Sequence, residues 1–141
     1  MARLLTVDGL STEFKTERGI VRAVNNVSYN VDEGEVIGIV GESGCGKSVS
    51  QMSIMQLIPS PPGKVVAGSA VFNGVDLLKL GRQNKEMCSI RGKEIAMIFQ
   101  EPMTSLNPAM TICKQMSEVL MLHLKMDKKE AREKVIDMLG Q

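Results

Sequence analysis

The amino-acid sequence predicts an α/β fold, in which an antiparallel β portion leads into a mostly parallel core sheet with helices. Three observations predict it. Short strand-like apolar runs crowd the first forty residues. An almost wholly apolar run, Val36 to Val40, stands directly before a glycine-rich loop and a helical segment. From Thr111 onward, apolar residues recur at three- and four-residue steps.

Element by element, strands are expected at Leu4 to Leu10, Thr12 to Phe14, Ile20 to Val24 and Val27 to Val31, with breaks at Gly9, Gly19 and Gly34. Val36 to Val40 (VIGIV) reads as a strand covered on both faces, because it does not alternate with polar residues. The segment Ser48 to Ile58 is expected to be helical and to stop before Pro59. Pro59 to Lys64 is a turn-rich connector, and Val65 to Phe72 starts a hairpin closed near Asn73-Gly74, a strong two-residue hairpin signal. A short helix is expected around Val75 to Leu80. Glu94 to Phe99 (EIAMIF) is too short for an ordinary helix and is read as a second central strand, with Gln100 at its end. Ile112, Met116, Val119, Leu120 and Leu124 mark one amphipathic helix, and Lys128 to Leu139 a second, with Asp127 as its N-cap.

The composition narrows the class of function. With 141 residues and 43% hydrophobic content the chain can bury a core. Seventeen basic and sixteen acidic side chains nearly cancel, so there is no basic field to attract nucleic acid. Cys45, Cys88 and Cys113 are odd in number, widely spaced and without a CxxC pair, which fits a reducing compartment better than a disulfide framework or a zinc site. No run approaches the roughly 18 apolar residues of a spanning helix, so a membrane role is expected to be peripheral, through a partner.

The strongest chemical signal is Gly41-Glu42-Ser43-Gly44-Cys45-Gly46-Lys47-Ser48, which satisfies G-x-x-x-x-G-K-[ST] between an apolar run and a helical segment. Glycines at these places let backbone N–H groups converge on phosphate oxygens, and the helix start adds its positive end. Lys47 is expected to reach the β- and γ-phosphates, and the Ser48 hydroxyl to supply an oxygen ligand to Mg²⁺, so the loop predicts binding of a magnesium nucleotide such as Mg-ATP. Cys45 stands inside this loop beside Lys47, either as a thiol made reactive by that setting or as a small residue without chemical duty.

A second motif, RGKEIAMIFQEPMTSLNP (residues 91–108), places Gln100 after the expected strand, followed by Glu101-Pro102 and Leu106-Asn107-Pro108. Together with GESGCGKS, and with GIVRAVNNVSYNVDEGE, GKVVAGSAVFNGVDLLKL and MTICKQMSEVL in the matching order, this resembles the peptide-importer branch of the ABC transporter ATPases over essentially the whole chain. The resemblance implies a P-loop NTPase fold of ABC type. Within residues 1–141, taken as the N-terminal part of the nucleotide-binding domain, it places the phosphate loop at 41–48, the Q-loop around 100 and a helical subdomain from about 108. It further implies that Gln100 coordinates Mg²⁺ or orients water. Glu101 to Asn107 would then meet a coupling helix of transmembrane permease subunits. A second ATP-binding subunit, identical or different, would complete an ATP sandwich at the cytoplasmic face of the inner membrane.

The sequence departs from that family at both ends. Where most members stack adenine on an aromatic side chain before a glycine, this chain has Arg18 before Gly19; the guanidinium of Arg18 or the ring of Phe14 is a candidate for the base. Nothing in the sequence matches the signature LSGGQ, the acidic strand end, the catalytic glutamate or the switch histidine. His123 stands on a helix, without ligand partners at helical spacing. A truncated domain is therefore expected, unstable in isolation and without hydrolysis of its own. Met103, Met110, Met116, Met121, Met126 and Met138 include core fillers, and DKKEAREK is a solvated helix face. Two other readings compete: a small-molecule kinase, for which no acceptor site is found, and a nucleotide-binding or interaction module without turnover.

Overall fold

The computed structural model describes residues 2–99 and 106–140, in two units, Met1–Cys88 and Ser89–Gln141. In the first unit β1 (Arg3–Thr16) and β2 (Gly19–Asp32) form a long antiparallel hairpin. β1 pairs on its other edge with β3 (Gly63–Phe72), which turns into the two-residue β4 (Val75–Asp76), giving the sheet order β2-β1-β3-β4. The helix α1 (Lys47–Ile54) packs on this sheet. Its core is Val7, Leu10, Val24, Ile54, Met55, Ala70, Phe72 and Leu77, all buried.

The expected antiparallel portion is present, but its breaks fall differently. Gly9 does not end a strand. It sits at φ +60 inside β1, where the register with both β2 and β3 slips between Val7 or Asp8 and the residues after Gly9, as in a β-bulge. The hairpin at Asn73-Gly74 is formed as its residues predict, with φ +46 and +83, the left-handed pair that a tight hairpin turn demands.

The helix expected around Val75 to Leu80 is absent. Val75–Asp76 forms β4, and the Asp76 carboxylate accepts from the N–H groups of Ala70 and Leu78, both at 3.2 Å, and pairs with Lys79 at 3.2 Å. An aspartate that satisfies backbone donors on both sides of a turn outcompetes a first helical turn there. α1 ends at Ile54, four residues earlier than expected, because Gln56 takes a left-handed φ of +51 and its side chain donates to the carbonyls of Leu77 and Leu80.

Neither central strand is formed. Val36 and Val40 are 95% and 92% exposed, residues 36–40 pair with no strand among the described residues, and Ile98 is 99% exposed. Residues 94–99 contribute only an isolated bridge, Arg91 to Ile95. A parallel strand gains its ladder and its cover from sequence-distant neighbours, and the described residues offer these segments none.

A short helix, α2 (Lys85–Ile90), which periodicity did not reveal, leads from the first unit into the second. Asn84 Oδ1 accepts from the Glu86 N–H ahead of it. The second unit consists mainly of α3 (Ile112–His123) and α4 (Lys128–Leu139). Thr111 caps α3 through its hydroxyl, accepting from the Lys114 N–H at 3.3 Å. Asp127 caps α4 as expected, with a full capping box: its carboxylate accepts from the N–H groups of Lys129 and Glu130, and Glu130 returns a bond to the Asp127 N–H. Ser117, Ala131 and Val135 are the buried residues of the pair. Ile112, Val119 and Leu124, on the apolar stripe that marks the helix in the sequence, are exposed.

Candidate functional site

The loop of residues 41–48 lies between the exposed run 36–40 and the first turn of α1. Two of its glycines take left-handed conformations, Gly44 at φ +80 and Gly46 at φ +94. Gly46 is constrained twice. Besides its φ, a Cβ there would stand 2.1 Å from the carbonyl oxygen of Ala23 in β2, so a side chain is incompatible with the contact between loop and sheet. Gly41 makes room for another reason: a Cβ on it would meet the Cys45 sulfur at 2.6 Å.

The start of α1 presents the positive end of the helix with no side chain to satisfy or neutralise it. Gly46 is the N-cap and brings no side chain to bond the first-turn N–H groups, and no acidic residue stands in that turn to neutralise the helix end. Lys47 folds back over the loop, its Nζ donating to the carbonyls of Gly41 at 2.6 Å and Glu42 at 2.7 Å, with the Cys45 sulfur at 3.5 Å. The Cys45 N–H donates to the Glu42 carbonyl at 3.3 Å, closing the turn around Ser43 and Gly44. An ammonium, an uncapped helix start and glycines with no side chain in the way form a donor set that suits the oxygens of a polyphosphate. Ser48, the residue proposed from the sequence as an oxygen ligand, is exposed in the first turn of the same helix.

Hydrogen bonds tie this helix to the hairpin. Thr12 Oγ1 and Ser53 Oγ, both residues buried, lie 2.8 Å apart, and the Ser53 hydroxyl also reaches the Val49 carbonyl at 2.7 Å. Tyr29 and Gln51 hydrogen-bond at 3.1–3.3 Å. Burial pushes the Tyr29 phenol upward, a shift that the Gln51 hydrogen bond partly offsets.

Beside the loop runs a cleft of about 370 Å³, walled by Ala23, Val24 and Val27 of β2 and by Ile39 and Val40, with Cys45, Gly46 and Lys47 at its phosphate-loop end and Arg22 also on its lining. Neither residue proposed from the sequence for a base lines it. Arg18 is exposed on the turn between β1 and β2, and Phe14 is half-buried with its ring edge 2.8 Å from where a Cβ on Gly63 would stand.

Gln100, the second site residue, lies outside the described residues, as do Glu101 to Ser105. The segment that follows them is held by a residue that the sequence did not single out. Gln115, in α3, accepts from the Asn107 N–H at 2.9 Å and donates to the carbonyls of Asn107 at 2.9 Å and Met110 at 3.0 Å. A glutamine on a helix carries no sequence signal for such a clamp. His123 packs against Gly92, where a Cβ would meet Nε2 at 3.0 Å, a structural contact and not a ligand set. Among the described residues no group of three or more His, Cys, Asp or Glu side chains could hold a metal, and no helix is long and apolar enough to cross a membrane.

The chain is 50% identical over 139 residues to the oligopeptide transport ATP-binding protein OppD of Bacillus subtilis, covering 99% of this chain and 38% of that protein. It is 49% identical over 138 residues to the dipeptide transport ATP-binding protein DppD of Escherichia coli, covering 98% and 41%. It therefore spans about two fifths of the length of these relatives. Among solved structures, the dimeric ATP-binding cassette MJ0796 in a post-hydrolysis state bound to ADP and Pi superposes with a TM-score of 0.80 at 25% identity, over 97% of this chain and 56% of that one. The fold is accordingly the α/β fold of ABC cassettes. The model of the ABC transporter family matches residues 24–141, and with the glycine-rich loop and the fold in agreement, the chain belongs to that family.

Proposed function

We propose that the chain carries the phosphate-binding part of an ATPase subunit that powers peptide import. The observation that carries this reading is the loop of residues 41–48, where the Lys47 ammonium, the glycine-only N-cap and the uncapped start of α1 converge. The relatives bear names of oligopeptide and dipeptide transport ATP-binding proteins, which supports ATP as the nucleotide and peptides as the cargo.

In this reading Lys47 donates to the β- and γ-phosphates, the first-turn N–H groups of α1 hold the phosphate oxygens, and Ser48 with Gln100 ligates Mg²⁺. The magnesium ion, when bound, neutralises phosphate charge and stabilises the charge that develops on transfer. Gln100 adds the orientation of water. The subunit works from the cytoplasmic face of the membrane, beside transmembrane permease subunits that meet the segment Glu101 to Asn107. A second ATP-binding subunit closes over the nucleotide, an arrangement supported by the dimeric state of the related cassette.

Replacing Lys47 tests the reading. Lys47→Ala removes a charge-assisted contact worth about 1.5–3 kcal/mol, so ATP affinity in a binding titration is expected to fall roughly 10- to 160-fold. The fold should be retained, because the Lys47 hydrogen bonds are exposed. Unchanged affinity in a folded variant would remove the phosphate loop from the mechanism.

A further inference from the structure

The two residues that the sequence offered for the base stand away from the cleft beside the phosphate loop, yet that cleft has a cation of its own. Arg22, on β2, lines it together with Ala23, Val24, Val27, Ile39 and Val40. Arg22 is not loosely placed: its Nε donates to Glu13 Oε1 at 2.8 Å, across a register pair of the hairpin. The guanidinium side chain is 68% exposed and its carboxylate partner 22%. Accordingly, the bond anchors an accessible group from its edge.

We infer that Arg22 is the nucleobase-contacting residue of this chain, laying its guanidinium plane on the base of a nucleotide whose phosphates occupy the loop of residues 41–48. The inference rests on the phosphate-loop reading above and adds the recognition of the base. Three features carry it. The cleft volume of about 370 Å³ is within the range of roughly 300–1,000 Å³ of small-molecule sites. Apart from Arg22, Asn25 and Ser50, its walls away from Lys47 are aliphatic, a surface that suits a base better than further phosphate. A guanidinium held through one edge keeps its flat faces available, and such planes stack on π-systems where an ammonium cannot. Glu13 acts as a positioning residue, since its carboxylate accepts from the Arg22 Nε.

The test compares two ligands, ATP and inorganic tripolyphosphate, each with magnesium, titrated into the purified protein and three variants. Arg22→Met keeps the length of the side chain without plane or charge, and Arg22→Lys keeps the charge without the plane. Both are expected to weaken ATP roughly tenfold and to leave tripolyphosphate unchanged, which also shows that the variants are folded. Arg18→Met is expected to change neither ligand. If Arg22→Met binds ATP as the unsubstituted protein does, or Arg22→Lys restores full ATP affinity, the stacking role is overturned. A loss of both ligands in the Arg22 variants overturns it as well, since the contact then lies with phosphate. Failure of the unsubstituted protein to bind either ligand overturns the phosphate-loop reading, and this inference with it.

Discussion

Gly46 offers the sharpest test of how the sheet builds the phosphate site. Gly46→Ala meets two separable penalties. An L-residue held at a left-handed φ such as +94 costs about 1–2 kcal/mol. The added methyl would also start 2.1 Å from the Ala23 carbonyl oxygen, a backbone atom of a paired strand that cannot rotate away. Relieving that overlap by moving α1 or β2 costs about 1–3 kcal/mol, the usual range for overpacking. The sum is about 2–5 kcal/mol, a large share of the roughly 5–15 kcal/mol of an ordinary domain. Gly34→Ala serves as the control, because Gly34 has φ +73 with nothing within 4 Å of its Cβ position and so meets the conformational penalty alone. Urea unfolding of both variants, followed by circular dichroism, reads the difference: with a slope of about 1–3 kcal/mol/M, Gly46→Ala should unfold at a midpoint clearly below that of Gly34→Ala. Equal midpoints would refute the claim that the loop is seated against Ala23.

Two further outcomes follow from the same helix-on-sheet arrangement. Thr12→Val and Ser53→Ala each break the buried 2.8 Å hydroxyl pair, but Ser53 keeps the Val49 carbonyl as a partner whereas Thr12 does not gain one. Thr12→Val should therefore cost about 1 kcal/mol and Ser53→Ala about 1–3 kcal/mol, with the double variant close to the larger single value; additive losses in denaturant unfolding would contradict the pairing. For Asp76, burial raises the carboxyl, but the Ala70 N–H, Lys79 and the Leu78 N–H lower it by more, and the net direction is down. A depressed carboxyl contributes stability above its unfolded value near about 4 and loses it as pH falls through the folded value. Asp76→Asn should accordingly be less stable than the unsubstituted protein at pH ~7, and the gap should close in acid; a gap independent of pH would exclude the carboxylate as its source.

Which parts of this molecule were legible in the sequence follows from how local each signal is. The Asp127 cap, the Lys128–Leu139 helix and the Asn73-Gly74 turn are written within a few consecutive residues, and all three stand where their residues put them. Antiparallel pairing of β1 with β2 also follows locally, since a single turn at residues 17–18 closes it. Val36 to Val40 and Glu94 to Phe99 carry apolar composition just as clearly, but a strand of that kind is defined by neighbours far along a chain, and the described residues supply none. A glycine in an apolar run marks a bulge or an end equally well, so the sequence alone does not tell that Gly9 stands inside β1. At the candidate site, the glycine-rich loop is legible in the sequence as a motif, while the partners that seat it are not. Nothing in Thr12, Tyr29 or Ala23 announces a contact with α1, and Gln56 and Gln115 reveal their roles only through the distant carbonyls they reach.

Those contacts divide the phosphate loop into two halves of different character. The downstream half is seated: Gly46 lies against Ala23, and α1 is bonded to the hairpin through Thr12 with Ser53 and Tyr29 with Gln51. The upstream half, from Val36 to Glu42, has exposed residues throughout. Lys47 joins the two, because its ammonium is carried by the seated helix and bonds the carbonyls of Gly41 and Glu42 in the exposed half. On the proposed reading, a phosphate entering the loop would compete with those carbonyls for the same three N–H donors of Lys47. The side chain proposed to bind the ligand is thus the one that joins the loop's two halves, and on that proposal binding at Lys47 would be weakened by whatever those two carbonyl bonds contribute.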